Sequence, residues 1–139
     1  MSTVVRPELS ARNRYWIEKH RYYELKHFCL QYPTWKKARY ALDGFEKMPA
    51  NFAPVSKTNI ISNPTEKCVE ARLFYSNRID MVEKIAKETD DCLYDYILKA
   101  VTEGISYDSL RIRLDIPCCK EAYYNLYRRF FWLLSMERQ

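Results

Sequence analysis

Glycine is nearly missing from this chain. Only Gly44 and Gly104 occur in 139 residues, and that scarcity constrains the fold more than any motif does. A sheet protein with several tight hairpins draws on glycine for its positive-φ turn positions. A helical bundle needs it only where a helix ends in the left-handed conformation. Hydrophobic residues make up 47% of the chain, enough for one packed core at the length of a single domain. An all-α helical bundle is therefore the expected class.

Helix punctuation gives the layout. Met1 to Glu8 reads as a loose end. Ser10 suits a helix cap, and Tyr15, Trp16, Tyr22, Tyr23, Leu25, Phe28, Cys29 and Tyr32 follow at helical spacing, predicting one long helix over 11–31. Pro33 stops or re-aims it, because proline disfavours helix in the residue before it. A shorter helix is expected over 34–42, with Gly44 as its end. Pro49, Pro54 and several small polar residues between Glu46 and Ser62 predict a loop and the subdomain boundary. Asn63-Pro64-Thr65-Glu66 is a helix start, with Asn63 as cap, Pro64 in the first turn and Glu66 closing a capping box. That helix is expected to reach about Glu88 on an apolar face of Val69, Leu73, Ile79, Val82, Ile85 and Ala86. Asp90 opens the next, with Leu93, Tyr94, Ile97, Leu98 and Val101 inside and Gly104 as its stop. Three regions result: an N-terminal helical region (1–46) for assembly or a partner, a linker (47–62), and a helical domain (63–139).

From Tyr94 to Leu134 the chain has the layout of a trihelical DNA-binding unit. A supporting helix ends at Gly104. Ser106 caps a short helix with Leu110 and Leu114 in its core. Asp115-Ile116-Pro117 makes a tight turn, and a last helix runs from about Cys118 to Met136. A helix-turn-helix is thus expected at about 106–136. An apolar turn residue, here Ile116, pins the crossing angle that exposes the first half of the second helix. Tyr123, Leu126, Phe130, Leu133 and Leu134 form the expected buried stripe. Lys120, Glu121, Tyr124, Asn125 and Arg128 then face outwards, with Arg111 beside them on the short helix. Arg and Lys suit guanine acceptors, Asn suits adenine, Glu accepts from cytosine, and Tyr reaches phosphates. The same layout of short helix, turn and long helix also occurs in bundles that bind no DNA.

The run Leu110 to Leu134, LRIRLDIPCCKEAYYNLYRRFFWLL, resembles the C-terminal part of phage late-gene transcriptional regulators of the RinA/ArpU type. It is also distantly similar to the region-four DNA-binding unit of sigma factors. Ser106, Tyr107 and Leu110 carry the entry, Ile116-Pro117 the turn, and Tyr123-Tyr124 the aromatic pair. Arg128-Arg129-Phe130-Phe131 leads into the leucines, and the charged helix opening at Thr65-Glu66 matches as well. The resemblance covers about 63–138. It implies a sequence-specific regulator of phage or prophage origin that activates late genes such as packaging genes. Its implied partners are double-stranded DNA and RNA polymerase or another protein. Cys118-Cys119 and Glu121 depart from a strongly basic reader and bear on affinity.

The net charge of +5 permits a polyanionic partner without demanding one. Its distribution is uneven: from Arg12 to Lys47 nine Lys/Arg stand against four Asp/Glu, and from Met48 to Ile105 seven stand against nine. In the N-terminal region cations interleave with Tyr15, Trp16, Tyr22, Tyr23, Phe28, Trp35 and Tyr40. Three readings stay open: a second nucleic-acid surface, a core stripe with a solvated basic face, and a homodimer interface.

Five cysteines, two of them adjacent, and no secretory leader point to a reduced, cytoplasmic protein. The cysteines read as small buried residues. No apolar run approaches the roughly 18 residues of a membrane span, so no membrane partner is expected. His20, His27 and Cys29 lack a CxxC or HxxxH pairing, so neither a metal site nor a cofactor is expected. No phosphate-binding glycine loop and no nucleophile–base pair is present, which argues against an enzyme. A second functional class fits the aromatic N-terminal half: a helical protein–protein interaction factor of phage origin, either an inhibitor or a packaging factor such as a small terminase-type subunit.

Overall fold

The described residues, 13–46 and 64–138 of a computed structural model, form six helices and no strand. α1 covers Lys19–Leu30, α2 Tyr32–Glu46, α3 Pro64–Thr89, α4 Tyr94–Glu103, α5 Tyr107–Leu114 and α6 Lys120–Glu137. The all-helical class expected from glycine scarcity holds. The Met1–Glu8 end, the Ser10 and Asn63 caps and the linker over 47–62 lie outside the described residues.

Side-chain hydrogen bonds move several boundaries. The single helix expected over 11–31 begins only at Lys19. Asn13 Oδ1 accepts from the Tyr15 amide at 2.9 Å and the Asn13 carbonyl from the Trp16 amide at 3.0 Å. These local bonds compete with helix, and Tyr, Trp and Ile lose side-chain freedom inside one. Glu18 then caps α1, its carboxylate accepting from the Arg21 amide at 3.1 Å. Hydrogen bonds from the His20 and Arg21 amides hold the Glu18 carboxyl below its ordinary pKa. Pro33 re-aims the chain, since α2 starts at Tyr32 and carries Pro33 in its first turn, where a missing N–H costs nothing. Gly44 does not end α2, which runs on to Glu46. Glycine inside a helix weakens it without forcing a stop. Asp90 does not open α4 either. Its Oδ1 accepts from the amides of Cys92 and Leu93, both at 2.8 Å, and this turn delays α4 to Tyr94. Gly104 does end α4, at φ 70°.

All six helices feed one core. Leu25, Trp35, Val82, Ile97, Leu110 and Phe130, one from each, belong to a continuous buried cluster. α1 and α2 are thus part of the same core as the helices beyond the linker. Tyr22, Phe28, Tyr32 and Trp35 are buried, so most of the N-terminal aromatic series packs inwards, while Trp16 and Tyr40 stay exposed. α2 lies along α3, where Arg72 Nη2 meets Asp43 Oδ1 at 2.6 Å. Only the second half of the expected α3 face is covered: Ile79, Val82, Ile85 and Ala86 are buried, and Val69 and Leu73 are exposed. Cys29 and Cys68 are buried as expected, but Cys92 and Cys119 are exposed and Cys118 is intermediate.

α6 packs against α3, α1 and α4. Tyr22 of α1 stands edge-on to Phe131, ring centres 5.2 Å apart, and its hydroxyl meets that of Tyr127 at 2.7 Å. Arg21 donates to the Ser135 and Arg138 carbonyls, which closes the C-terminal end of α6 from a neighbouring helix. Lys84 adds an ion pair to Glu137 at 3.1 Å. Among the described residues no helix is long and apolar enough to cross a membrane.

Two outcomes follow from this packing. Gly104→Ala would place its Cβ 3.7 Å from Leu30 Cδ2, an ordinary separation. The cost is therefore backbone strain at positive φ, about 1 kcal/mol, read as a lower urea midpoint. Burial pushes the phenols of Tyr32, Tyr123 and Tyr127 upwards. The unfolded chain releases these protons near pH 10 while the native state keeps them. Their contribution to stability is whole below about pH 10 and declines as pH rises above it. The last part of the tyrosinate absorbance, that of these three phenols, should accordingly appear together with loss of helical circular dichroism. Complete ionisation with the helices intact would contradict the packing.

Candidate nucleic-acid interface

The α5–α6 unit is built from short-range bonds. Ser106 Oγ accepts from the Ser109 amide at 3.3 Å and caps α5. Asp115 adopts a left-handed conformation, φ 51°, that Asp tolerates better than most residues. The amides of Asp115 and Ile116 both approach the Leu110 carbonyl, the latter at 3.4 Å. This turns the chain and delivers Ile116 into the core, where it is fully buried with Leu110. Leu114 is only half-buried. Tyr107 Oη donates to the Cys118 carbonyl at 2.6 Å, and its ring packs 5.4 Å from that of Tyr123. The entry to α6 is thus held from both ends of α5.

α6 begins at Lys120, with Cys119 as its cap residue rather than its first turn. Cys119 makes no side-chain capping bond, so its side chain satisfies none of the backbone N–H groups of the first turn. Before Phe130, Tyr123 is the only buried residue of the helix. Phe131 and Leu134 are buried beyond it, whereas Leu126 and Leu133, expected in the stripe, are half-buried. The inward side is therefore rotated towards Phe131, a residue outside the stripe that periodicity predicts.

The expected contact residues separate into two groups. Glu121 and Asn125 are exposed one turn apart, and Arg128 follows on the same side, half-exposed. Lys120 is half-exposed, its Nζ 5.9 Å from the Tyr124 ring. Tyr124 leans back towards the core, ring centres 6.4 Å from Tyr107 and 5.3 Å from Tyr123. Burial and then Asp108 push its phenol upwards against the pull of Arg128, so at neutral pH it is an uncharged hydrogen-bonding group. Arg111 is exposed but also structural: its Nη1 donates to the Ile116 carbonyl at 3.0 Å and lies 3.8 Å from Asp115. It braces the turn while presenting charge to solvent.

Comparison with family models, curated proteins and solved structures returns no match. The chemistry of this face therefore rests on its own geometry.

A notch of about 540 Å³ continues the face beyond Asn125. Arg14 and Arg129 line it together with Asn125, Asn13 and Asp90. Arg129 reaches the Tyr15 hydroxyl and the Glu88 carbonyl only loosely, each at 3.4 Å, and its Nε is buried without a hydrogen-bond partner. A loosely held guanidinium suits an added oxyanion. In sequence, Arg14 reads only as part of an N-terminal basic face and Arg129 only as part of a basic-aromatic run. The turn at Asn13–Trp16, which carries Arg14 and Tyr15 to α6, joins segments more than a hundred residues apart, and no local signal marks it. Among the described residues no group of three or more His, Cys, Asp or Glu is placed to hold a metal ion. His20 and His27 are exposed on α1.

Cys119→Ser gives α6 a capping hydroxyl in a position that already has extended backbone, ψ 165°. Thermal denaturation should show a gain of about 1 kcal/mol. An unchanged or lower midpoint would mean that the first turn of α6 is not held as described.

Proposed function

We propose that this chain is a sequence-specific double-stranded-DNA-binding regulator whose α5–turn–α6 unit works as a helix-turn-helix. In this reading the N-terminal half of α6 lies in the major groove, with Lys120, Glu121, Asn125 and Arg128 towards base edges. Tyr124 and Arg111 sit beside the sugar-phosphate backbone. The observation that carries the reading is the asymmetry of α6. Its C-terminal half is packed on three helices and closed by Arg21, while its N-terminal half buries only Tyr123 and keeps the polar set accessible.

The likeness of 110–134 to phage late-gene regulators of the RinA/ArpU type, and more distantly to sigma-factor region four, supports the finer reading. That is an activator of late genes of phage or prophage origin, acting in the cytoplasm as a homodimer, with RNA polymerase or another protein as second partner. A second reading has its own observation. Val69, Leu73 and Phe74 are exposed along the first half of α3, and Ile112 on α5 is 84% exposed. Apolar surface of this kind suits a protein partner, as in a phage-derived inhibitor or a small terminase-type packaging subunit.

The test is a fluorescence-anisotropy titration with duplexes from around the protein's own gene. It uses several salt concentrations and nonspecific competitor, with wild type beside Lys120→Ala/Arg128→Ala. Removing a side chain that reads a base edge should cost about 1–3 kcal/mol, so the double variant should no longer bind in the presence of competitor. Weak binding that fades uniformly with salt, identical in the variant, would reduce the interaction to charge attraction and favour the protein-partner reading.

A further inference from the structure

A cavity of about 290 Å³ lies between α1 and the α4–α5–α6 unit. Its walls are aromatic: Tyr22 from α1, Tyr107 from α5, and Tyr123, Tyr127 and Phe131 from α6. Ala100 and Gly104 of α4 leave the space on the opposite side open, where larger side chains would fill it. The space opens to solvent beside the exposed Gly104 and Ser106 and the half-buried Lys26, so it is a cleft and not a sealed void. It also has polar character. The hydroxyls of Tyr22 and Tyr127 meet at 2.7 Å in its wall. Lys26 lines it and is the one lining residue that carries a charge at neutral pH. Loss of solvation pushes the phenols of Tyr123 and Tyr127 upwards, so they stay neutral there. Among the described residues Lys26 forms no ion pair.

We propose that this cavity is a binding site for a single-ring aromatic carboxylate, its ring held among the tyrosines and its carboxylate on Lys26. Offset and edge-on ring packing favours a flat aromatic ligand over an aliphatic one of equal size. An ammonium at the cleft with no acidic neighbour in the lining favours an anion over a neutral analogue. The volume lies at the small end of ligand pockets, which sets the limit at one ring. Binding here does not depend on the nucleic-acid reading. It would nevertheless bear on that face, because Tyr107 and Tyr124 both line the cavity and flank the exposed half of α6.

Isothermal titration of the full chain with benzoate and 4-hydroxybenzoate tests the proposal, with benzamide and acetate as the neutral and non-aromatic controls. Methyl and ring resonances of Ala100, Val101 and Tyr127 locate the ligand. Saturable 1:1 binding of at least one aromatic carboxylate is expected, with shifts at those groups and otherwise confined to the cleft lining. Lys26→Met should weaken it about tenfold or more, the effect of removing a charge-assisted bond, while Lys26→Arg should retain it. Ala100→Leu should abolish it by filling the space. Lys26 is partly exposed, so its variants remain informative if Ala100→Leu fails to fold. The proposal is overturned if neither carboxylate saturates, if benzamide binds as tightly, or if Lys26→Met leaves affinity unchanged.

Discussion

Tyr123, Tyr127 and Phe131 stand four residues apart on α6, so their rings follow one another along a single face, with centres 6.1 and 5.0 Å apart. Other helices are fastened to this ridge. Tyr22 brings α1 against Tyr127 and Phe131, and Tyr107 brings α5 against Tyr123. Aromatic rings bury roughly 150–250 Å² each, so a few of them anchor short helices that could not hold themselves in water. α5, with eight residues, depends on such anchorage more than any other helix here.

A ridge of phenylalanines would bury as much surface and specify less. Each buried phenol brings a hydroxyl that must find a partner. Here the partners are particular: Tyr127 for Tyr22, the Cys118 carbonyl for Tyr107, and the Glu83 carboxylate for Tyr32. A small rotation of α1 or α5 would keep most apolar packing but break the first two of these bonds. The hydroxyls therefore fix angles where the rings supply only attraction, and they fix them next to the α5–α6 turn.

The parts of this fold legible in sequence are those set by local chemistry. The α4 stop at Gly104, the Ser106 cap, the buried Ile116 and the α3 start at Pro64 each depend on residues a few positions apart. Gly44 and Asp90 mislead because a glycine or an aspartate has more than one local use. The candidate face is legible to the extent that it follows helical period: Glu121, Asn125 and Arg128 share a side of α6. Tyr124 departs from that period because Tyr107, seventeen positions earlier, draws its ring inwards. Arg129, the Lys26-lined cavity and the Arg21 clasp on α6 have no sequence signal, because each joins segments brought together only by the complete packing.

The clasp on α6 gives that helix a fixed far end, while α5 braces its tip through Tyr107. Arg21 and Lys84 grip its far end, and Phe130, Phe131 and Leu134 are set in the core as a root. Lys120 lies eleven residues from Phe131, about 16 Å along the axis at 1.5 Å per residue. A tilt of about 5° at the root would therefore sweep the tip by about 1.4 Å over that lever arm. Side chains far from the tip thus share with the α5 brace the task of aiming it.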